Sequence, residues 1–320
     1  MTEIHSVLVG AYPRSEELIK AFRSHMRGRL PEEELRRLVA KEEEEVVRLQ
    51  KDVGLRYIID GMLDWHDLLR PLAENLDGVE LNGLARWFDN NMFYRKPVIV
   101  GEVRRERSIL ENFFHFELIK DAEAKLILPD PYSFTLLSVI KRRRFDEVVF
   151  EVAEALREEL LEIEASIKIG QIQLSAPTLV WRRLSSDELE TAGEAVKEVF
   201  KGVEAEKMLH LFFGDALNAF PQVLDYDVDV LGFDLTATSV KRLSEYSIDK
   251  SVALGVVDGR NSLLEKADSA ARWIRIYLEH NEPDLLYVTP SCDLEFLPRN
   301  VAERKVRVLG EIMHKVREEV

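Results

Sequence analysis

The sequence predicts an α/β fold, a single (β/α)8 (TIM) barrel with an excursion after the second strand, and three observations carry that expectation. Short apolar segments alternate with longer helical ones along the whole 320-residue chain. Setting aside a strand-like stretch at 97–103, eight such segments can be counted, each followed by helix. Their cores are apolar on both faces, as strands covered by helices require. No Gly/Ser linker divides the chain, so residues 1–320 are expected to form one domain.

The first strand is expected at 6–12, stopped by Pro13, and a charged helix follows with Leu18, Ala21 and Phe22 on its apolar stripe. A second helical run begins at Pro31 and ends at Gly54, its acidic residues 42–45 expected to face water. The second strand is 55–61. Residues 62–106, with Asn90-Asn91, the 97–103 stretch and several aromatics, form the excursion outside the repeating unit. Alternation resumes with strand 125–128, helices 133–141 and 145–166, strand 169–174 and helix 185–200. Strands at 208–213, 229–235, 252–257 and 285–288 and a closing helix at 300–319 complete the count.

Composition narrows the function classes. A formal charge of -15 excludes a general nucleic-acid binder, which needs clustered Lys and Arg against phosphate. The basic runs Arg104-Arg105-Glu106-Arg107 and Lys141-Arg142-Arg143-Arg144 lie between elements and are expected to be solvated loop charges. No apolar run approaches a membrane span, and Met1-Thr2-Glu3-Ile4-His5 lacks a charged-then-apolar leader, so a cytoplasmic protein with no membrane partner is expected. Charged residues make up 32%, rich in Glu, Arg and Lys, a thermophile-like composition.

The carboxyl ends of barrel strands are where chemistry is built. They should gather Tyr12, Asp60, Asp130, Ser175, His210, Asp234, Asp258, Arg260 and Cys292. Cys292 is the only cysteine, which excludes a disulfide within the chain and leaves a metal ligand, a nucleophile or a small buried hydrophobe. Strand alternation puts His210, Phe212 and Gly214 on one face. His210 is then either a hydrogen-bonded core residue or, with Asp234 and Cys292, part of a zinc-like ligand set. Gly255-Val256-Val257-Asp258-Gly259-Arg260-Asn261 is either an anion-holding turn or simply a tight strand-to-helix turn. Glycine-rich nucleotide loops, the His-Glu-x-x-His pair and the Gly-x-Ser-x-Gly elbow are absent.

These strand-end motifs resemble the cobalamin-independent methionine synthase family, over nearly the whole chain. Val9-Gly10-Ala11-Tyr12-Pro13-Arg14 is similar to the Gly-x-Phe-Pro-Arg start of that family's barrels. Gly255 to Asn261 is similar to the Gly-x-x-Asn-Gly-Arg-Asn element of its amino-terminal barrel, and Pro290-Ser291-Cys292-Asp293-Leu294 to its Pro-Ser-Cys-Ser-Leu. The resemblance implies two related barrels in the full-length enzymes, the carboxyl-terminal one carrying zinc and homocysteine. Zinc there is held by a His-x-Cys pair, a Glu and a late Cys; this chain offers His210, Asp234 and Cys292, with Phe212 where the second cysteine ligand is expected. Gly61-Met62 stands where the homocysteine site has Gly-Glu, and Ser175-Ala176-Pro177 where it has Asp-Glu-Pro. The resemblance therefore implies an amino-terminal-type barrel that pairs with a separate zinc-bearing catalytic barrel. Its small-molecule methyl donor would be a folate, another pterin or a methyl-corrinoid. An independent zinc-dependent thiol methyltransferase and a non-catalytic scaffold are the other two expectations. Tyr12, Arg14, Asp60, Asp130, Ser175, Asp258, Arg260 and Asn261 are the candidate substrate- or anion-binding residues.

Overall fold

The computed structural model describes residues 2–319. Its ten strands are β1 (Glu3–Ser6), β2 (Asp77–Arg86), β3 (Phe93–Arg104), β4 (Ala124–Pro129), β5 (Val139–Ile140), β6 (Ile169–Ser175), β7 (Glu206–Leu211), β8 (Val230–Asp234), β9 (Ser251–Val257) and β10 (Leu285–Pro290). The helices are α1 (Glu16–Met26), α2 (Glu32–Val53), α3 (Arg70–Asn75), α4 (Pro131–Leu136), α5 (Phe145–Ser166), α6 (Thr178–Trp181), α7 (Ser186–Val199), α8 (Val240–Leu243), α9 (Ala267–Leu278) and α10 (Arg299–Glu319).

Seven strands form one sheet in the order β1-β10-β9-β8-β7-β6-β4, every neighbouring pair parallel. The eighth place belongs to residues 55–61, which lie between β1 and β4 without being a regular strand. Arg56 N donates to Ser6 O, Ile58 N to Glu123 O, and Lys125 N back to Ile58 O, all at 2.9 Å. At Ile59 the ladder is interrupted by a side chain. Gln50 of α2, fully buried, accepts from Ile59 N through Oε1 and donates through Nε2 to Ile59 O. A buried backbone must find partners somewhere, and here a helix glutamine supplies what a strand neighbour would. The second strand thus exists as a pairing position while its hydrogen bonds are partly diverted.

The first strand is also displaced from expectation. Regular pairing covers Glu3–Ser6 rather than 6–12, and continues past Ser6 only through Val7 N to Val288 O. Beyond it Val9 O accepts from Gln173 Nε2, which reaches across the interior from β6. Helix 133–141 is shorter than expected: α4 ends at Leu136, and Val139–Ile140 become β5, which pairs with β3. The barrel interior is a small layer of Val7, Val9, Tyr57, Met208, Val230, Ala253 and Tyr287, and the larger core lies between strands and helices.

The excursion is a separate three-stranded sheet, β2-β3-β5, in which β2 and β3 form an antiparallel hairpin and the expected 97–103 strand lies within β3. The two features expected to face water do so in part. On α2, Glu44 and Glu45 are exposed, but Glu42 and Glu43 are buried, because they face α10 and the loop before β4. The basic runs are mostly exposed, as expected; the exceptions are Arg105, half-buried against Glu159 and Glu162 of α5, and Arg143, paired with Glu147 and Glu151. Among the described residues no helix is long and apolar enough to cross a membrane.

Candidate functional site

Two motif segments meet at the carboxyl ends of β9 and β10, and glycines make the contact possible. A Cβ on Gly259 would come within 2.6 Å of Asp293 O and 2.8 Å of Cys292 Sγ, and one on Gly255 within 2.8 Å of Ser291 Cα. Gly259 N donates to Ser291 Oγ at 3.1 Å. A Cβ on Gly10 would overlap the carboxylate of Asp293, whose Oδ1 accepts from Ala11 N at 2.9 Å. The three motifs that look alike in sequence to one family are therefore one packed unit.

Cys292 sits inside this unit, 1% exposed. Burial first, then the charges of Asp293 and Asp234, push its thiol up, so it stays protonated and shielded, unlike a reactive cysteine. His210 on β7 is fully buried and fills space left by Gly232 of β8, where a Cβ would lie 2.7 Å from its Cδ2. Burial drives its pKa down to about 3, so the ring is neutral, and neither ring nitrogen has a partner within the chain. Phe212 stacks on it, ring centroids 5.0 Å apart and 17° from parallel. Asp234 is occupied elsewhere: Oδ1 accepts from Thr236 N at 2.8 Å and Thr236 Oγ1 at 2.6 Å, and Oδ2 from Phe213 N at 3.3 Å. Among the described residues, the only group of three His, Cys, Asp or Glu donors within 4.8 Å of one another lies elsewhere. His210, Asp234 and Cys292 share one end of the barrel but do not form a ready-made ligand set, and no zinc-dependent step is derived from them.

The mouth above these residues is covered by rings. Phe213, with φ 69, departs from strand geometry and turns onto Phe212 at 4.6 Å. Phe88, from the tip of the β2–β3 hairpin, packs on Phe213 at 5.3 Å and on Trp181 at 5.0 Å, and Phe296 packs on Phe213 at 5.8 Å. Arg260 lies over the Phe213 ring at 5.2 Å and faces Asp89 of the hairpin tip at 3.8 Å. The excursion is thus a cap on the mouth.

Other expected site residues divide into two groups. Asp258 and Asn261 shape their own loop, accepting from Arg260 N at 2.9 Å and Leu263 N at 3.0 Å. Ser175 accepts from Gln173, and Asp130 caps α4 through Ser133 N at 3.0 Å; burial raises Asp130 to about 7. Tyr12 and Arg14 instead line a cleft of about 510 Å³ with Met62, Trp65, Glu295 and Arg299. Arg14 is held by the carbonyls of Leu63 and Trp65, and its guanidinium lies 4.6 Å from the Phe22 ring centroid. Arg299 covers Tyr12 at 4.8 Å, and the buried Tyr12 hydroxyl has no partner within the chain. Burial first, then the Asp293 charge, raises Glu295. The cleft offers a hydroxyl, an easily protonated carboxyl and a guanidinium, a set suited to holding a polar small molecule.

The model of the family described as "Cobalamin-independent synthase, Catalytic domain" matches residues 4–315. The chain belongs to the cobalamin-independent methionine synthase family. The matching description is that of the catalytic domain, whereas the strand-end motifs look more like the amino-terminal barrel. A methionine synthase of Saccharolobus solfataricus is 28% identical over 98% of this chain and 95% of its own length. One from Sulfolobus acidocaldarius is 27% identical over 100% of this chain and 94% of its own. Among solved structures, a B12-independent methionine synthase from Shewanella sp. W3-18-1 in complex with selenomethionine superposes with TM-score 0.79 at 22% identity, covering 91% of each chain. A putative B12-independent methionine synthase from Listeria monocytogenes gives 0.74 at 18% identity, covering 99% of this chain and 98% of its own. These likenesses establish the barrel.

Glu295 of the cleft carried no sequence signal, and neither did Glu43 of α2 and His115 of the loop before β4, whose side chains meet at 2.6 Å. Glu43 lies in a run of four glutamates, and His115 in a stretch without regular pattern. Asp60 at its strand end is the one signal that pointed to their neighbourhood.

Proposed function

We propose that this methionine synthase family barrel serves homocysteine S-methylation in the cytoplasm as the partner of a separate zinc-bearing barrel. In that pairing it would help hold the methyl donor, a folate, another pterin or a methyl-corrinoid. The carrying observation is the mouth around β7: Phe212 stacks on His210 where a thiolate is expected, and Phe213 and Phe88 close the space above. Met62 in place of an acid, itself lining the 510 Å³ cleft, points the same way. The test is to combine the purified chain with a zinc-bearing methionine synthase barrel from the same cell. We expect a stable complex, and a lower KM for the methyl donor than the zinc barrel shows alone. A chain that neither binds such a barrel nor changes its kinetics removes this reading.

A second reading is favoured by two observations. The family model that matches is that of the catalytic domain, and His210 has both ring nitrogens unpartnered in the interior. On that reading the chain is an independent zinc-dependent thiol methyltransferase. Zinc would be held by His210, Asp234 and Cys292 once their side chains turned toward it, and would supply a Lewis acid that lowers the pKa of a bound thiol. Homocysteine methylation by the chain alone, abolished in Cys292→Ser, would establish it.

A further inference from the structure

We propose that Glu43, Asp60 and His115 form a binding site for a first-row divalent cation, distinct from the strand-end set His210, Asp234 and Cys292. The three come from separate elements: Glu43 from α2, Asp60 from the end of the 55–61 segment, and His115 from the loop between β3 and β4. One donor atom from each lies within 4.8 Å of the others, a spread that a single ion can close to bonding distance with small side-chain movement.

What calls for a cation is the set of unpartnered carboxylate oxygens. Glu43 has no exposed side-chain surface; its Oε2 meets His115 Nδ1 at 2.6 Å, and its Oε1 has no partner within the chain. Asp64 lies beyond the other face of the ring, 3.8 Å from His115 Nε2, and its Oδ1 is also buried and unpartnered. Three carboxylates therefore surround one imidazole, and two of them keep a buried oxygen that no group of the chain satisfies, an arrangement a bound cation would complete.

The supporting shell is in place. Asp60 Oδ1 accepts from Met62 N at 2.9 Å and Oδ2 from His115 N at 3.0 Å, which fixes the carboxylate and ties the His115 backbone to it. A cavity of about 590 Å³ lined by Asp64, His66, Glu111 and His115 gives a route from solvent. Two carboxylates and an imidazole suit Mn²⁺, Fe²⁺, Co²⁺ or Zn²⁺. On binding, the proton shared by His115 Nδ1 and Glu43 leaves to solvent, and both groups turn their lone pairs to the metal. The site does not depend on whether the chain works with a partner barrel.

The test is titration of the chelator-stripped full-length chain with Co²⁺, read by visible absorption, and with Mn²⁺ and Zn²⁺, read by calorimetry. One ion per chain is expected, with affinity rising as pH is raised because a proton is released. His115→Ala, at a part-exposed position, and Glu43→Gln should each weaken binding by roughly tenfold or more. Cys292→Ser should keep the ion at Glu43, Asp60 and His115, whatever it does at the strand-end set. Circular dichroism checks that each variant is folded. Full affinity in folded His115→Ala, loss of binding in Cys292→Ser, or no binding at millimolar metal would each overturn the proposal.

Discussion

From β6 round to β10 the barrel mouth is filled by rings: Trp181, Phe212, Phe213 and Phe296, with Phe88 of the hairpin laid across them. From β1 through 55–61 to β4 it carries Tyr12, Asp60, Asp130 and, behind them, Glu43, Asp64 and His115, beside two cavities. The first half gains stability from apolar burial and edge-to-face contact, and its unpartnered His210 ring is sealed beneath Phe212. The second half keeps carboxyls in surroundings that penalise their charge. Perturbed carboxyls of this kind cluster at functional sites, which is why the proposed cation site lies beside the second strand and not at the β7 and β10 ends.

Three substitutions probe this contrast, from the largest effect to the smallest. Phe213→Ala removes the ring at the centre of the plugged half and should cost about 3–5 kcal/mol in urea unfolding. A loss under about 1 kcal/mol would mean that the rings are not a structural plug. Next, Asp130 belongs to the polar half and is raised from 3.8 to about 7. The folded chain keeps a proton there that the unfolded chain releases, so this group makes stability fall as pH rises from about 4 to 7. Asp130→Asn can still accept from Ser133 N and has no charge to bury. It should shrink the stability difference between pH 5 and pH 8 by on the order of 1 kcal/mol or more. An unchanged pH slope would place the proton elsewhere. Smallest is Asp89→Asn at the hairpin tip, a half-exposed pair worth less than about 1 kcal/mol. Its readout is faster amide exchange over 86–92 with almost no change in global stability; equal exchange would show that the rings alone hold the cap.

Much of the barrel was legible because strand-helix alternation records burial directly, and β6 to β10 fall within a few residues of expectation. The first and second strands were misread for one cause, a side chain acting as backbone partner. Gln50 takes the hydrogen bonds of Ile59 and Gln173 that of Val9, and no periodicity reveals this. Glu43 was hidden for a related reason: within a run of glutamates, sequence does not tell which one the fold turns inward. The hairpin cap was visible only as irregularity, since an aromatic at a turn is no sign of what it will cover. Cys292 and His210 were legible as strand-end positions, but their surroundings, Phe212 over one and Gly259 against the other, depend on tertiary packing.

The contact between Gly10 and Asp293 makes two positions far apart in the chain answer to one another. The carboxylate occupies the space a β-carbon at position 10 would need, and the Asp293 Cα would itself lie 2.9 Å from that carbon. The first and last segments of the barrel are therefore latched at a point where neither backbone can step back alone. Gly10→Ala should be disruptive by itself and only partly relieved by Asp293→Ser, which removes the carboxylate and leaves the backbone contact.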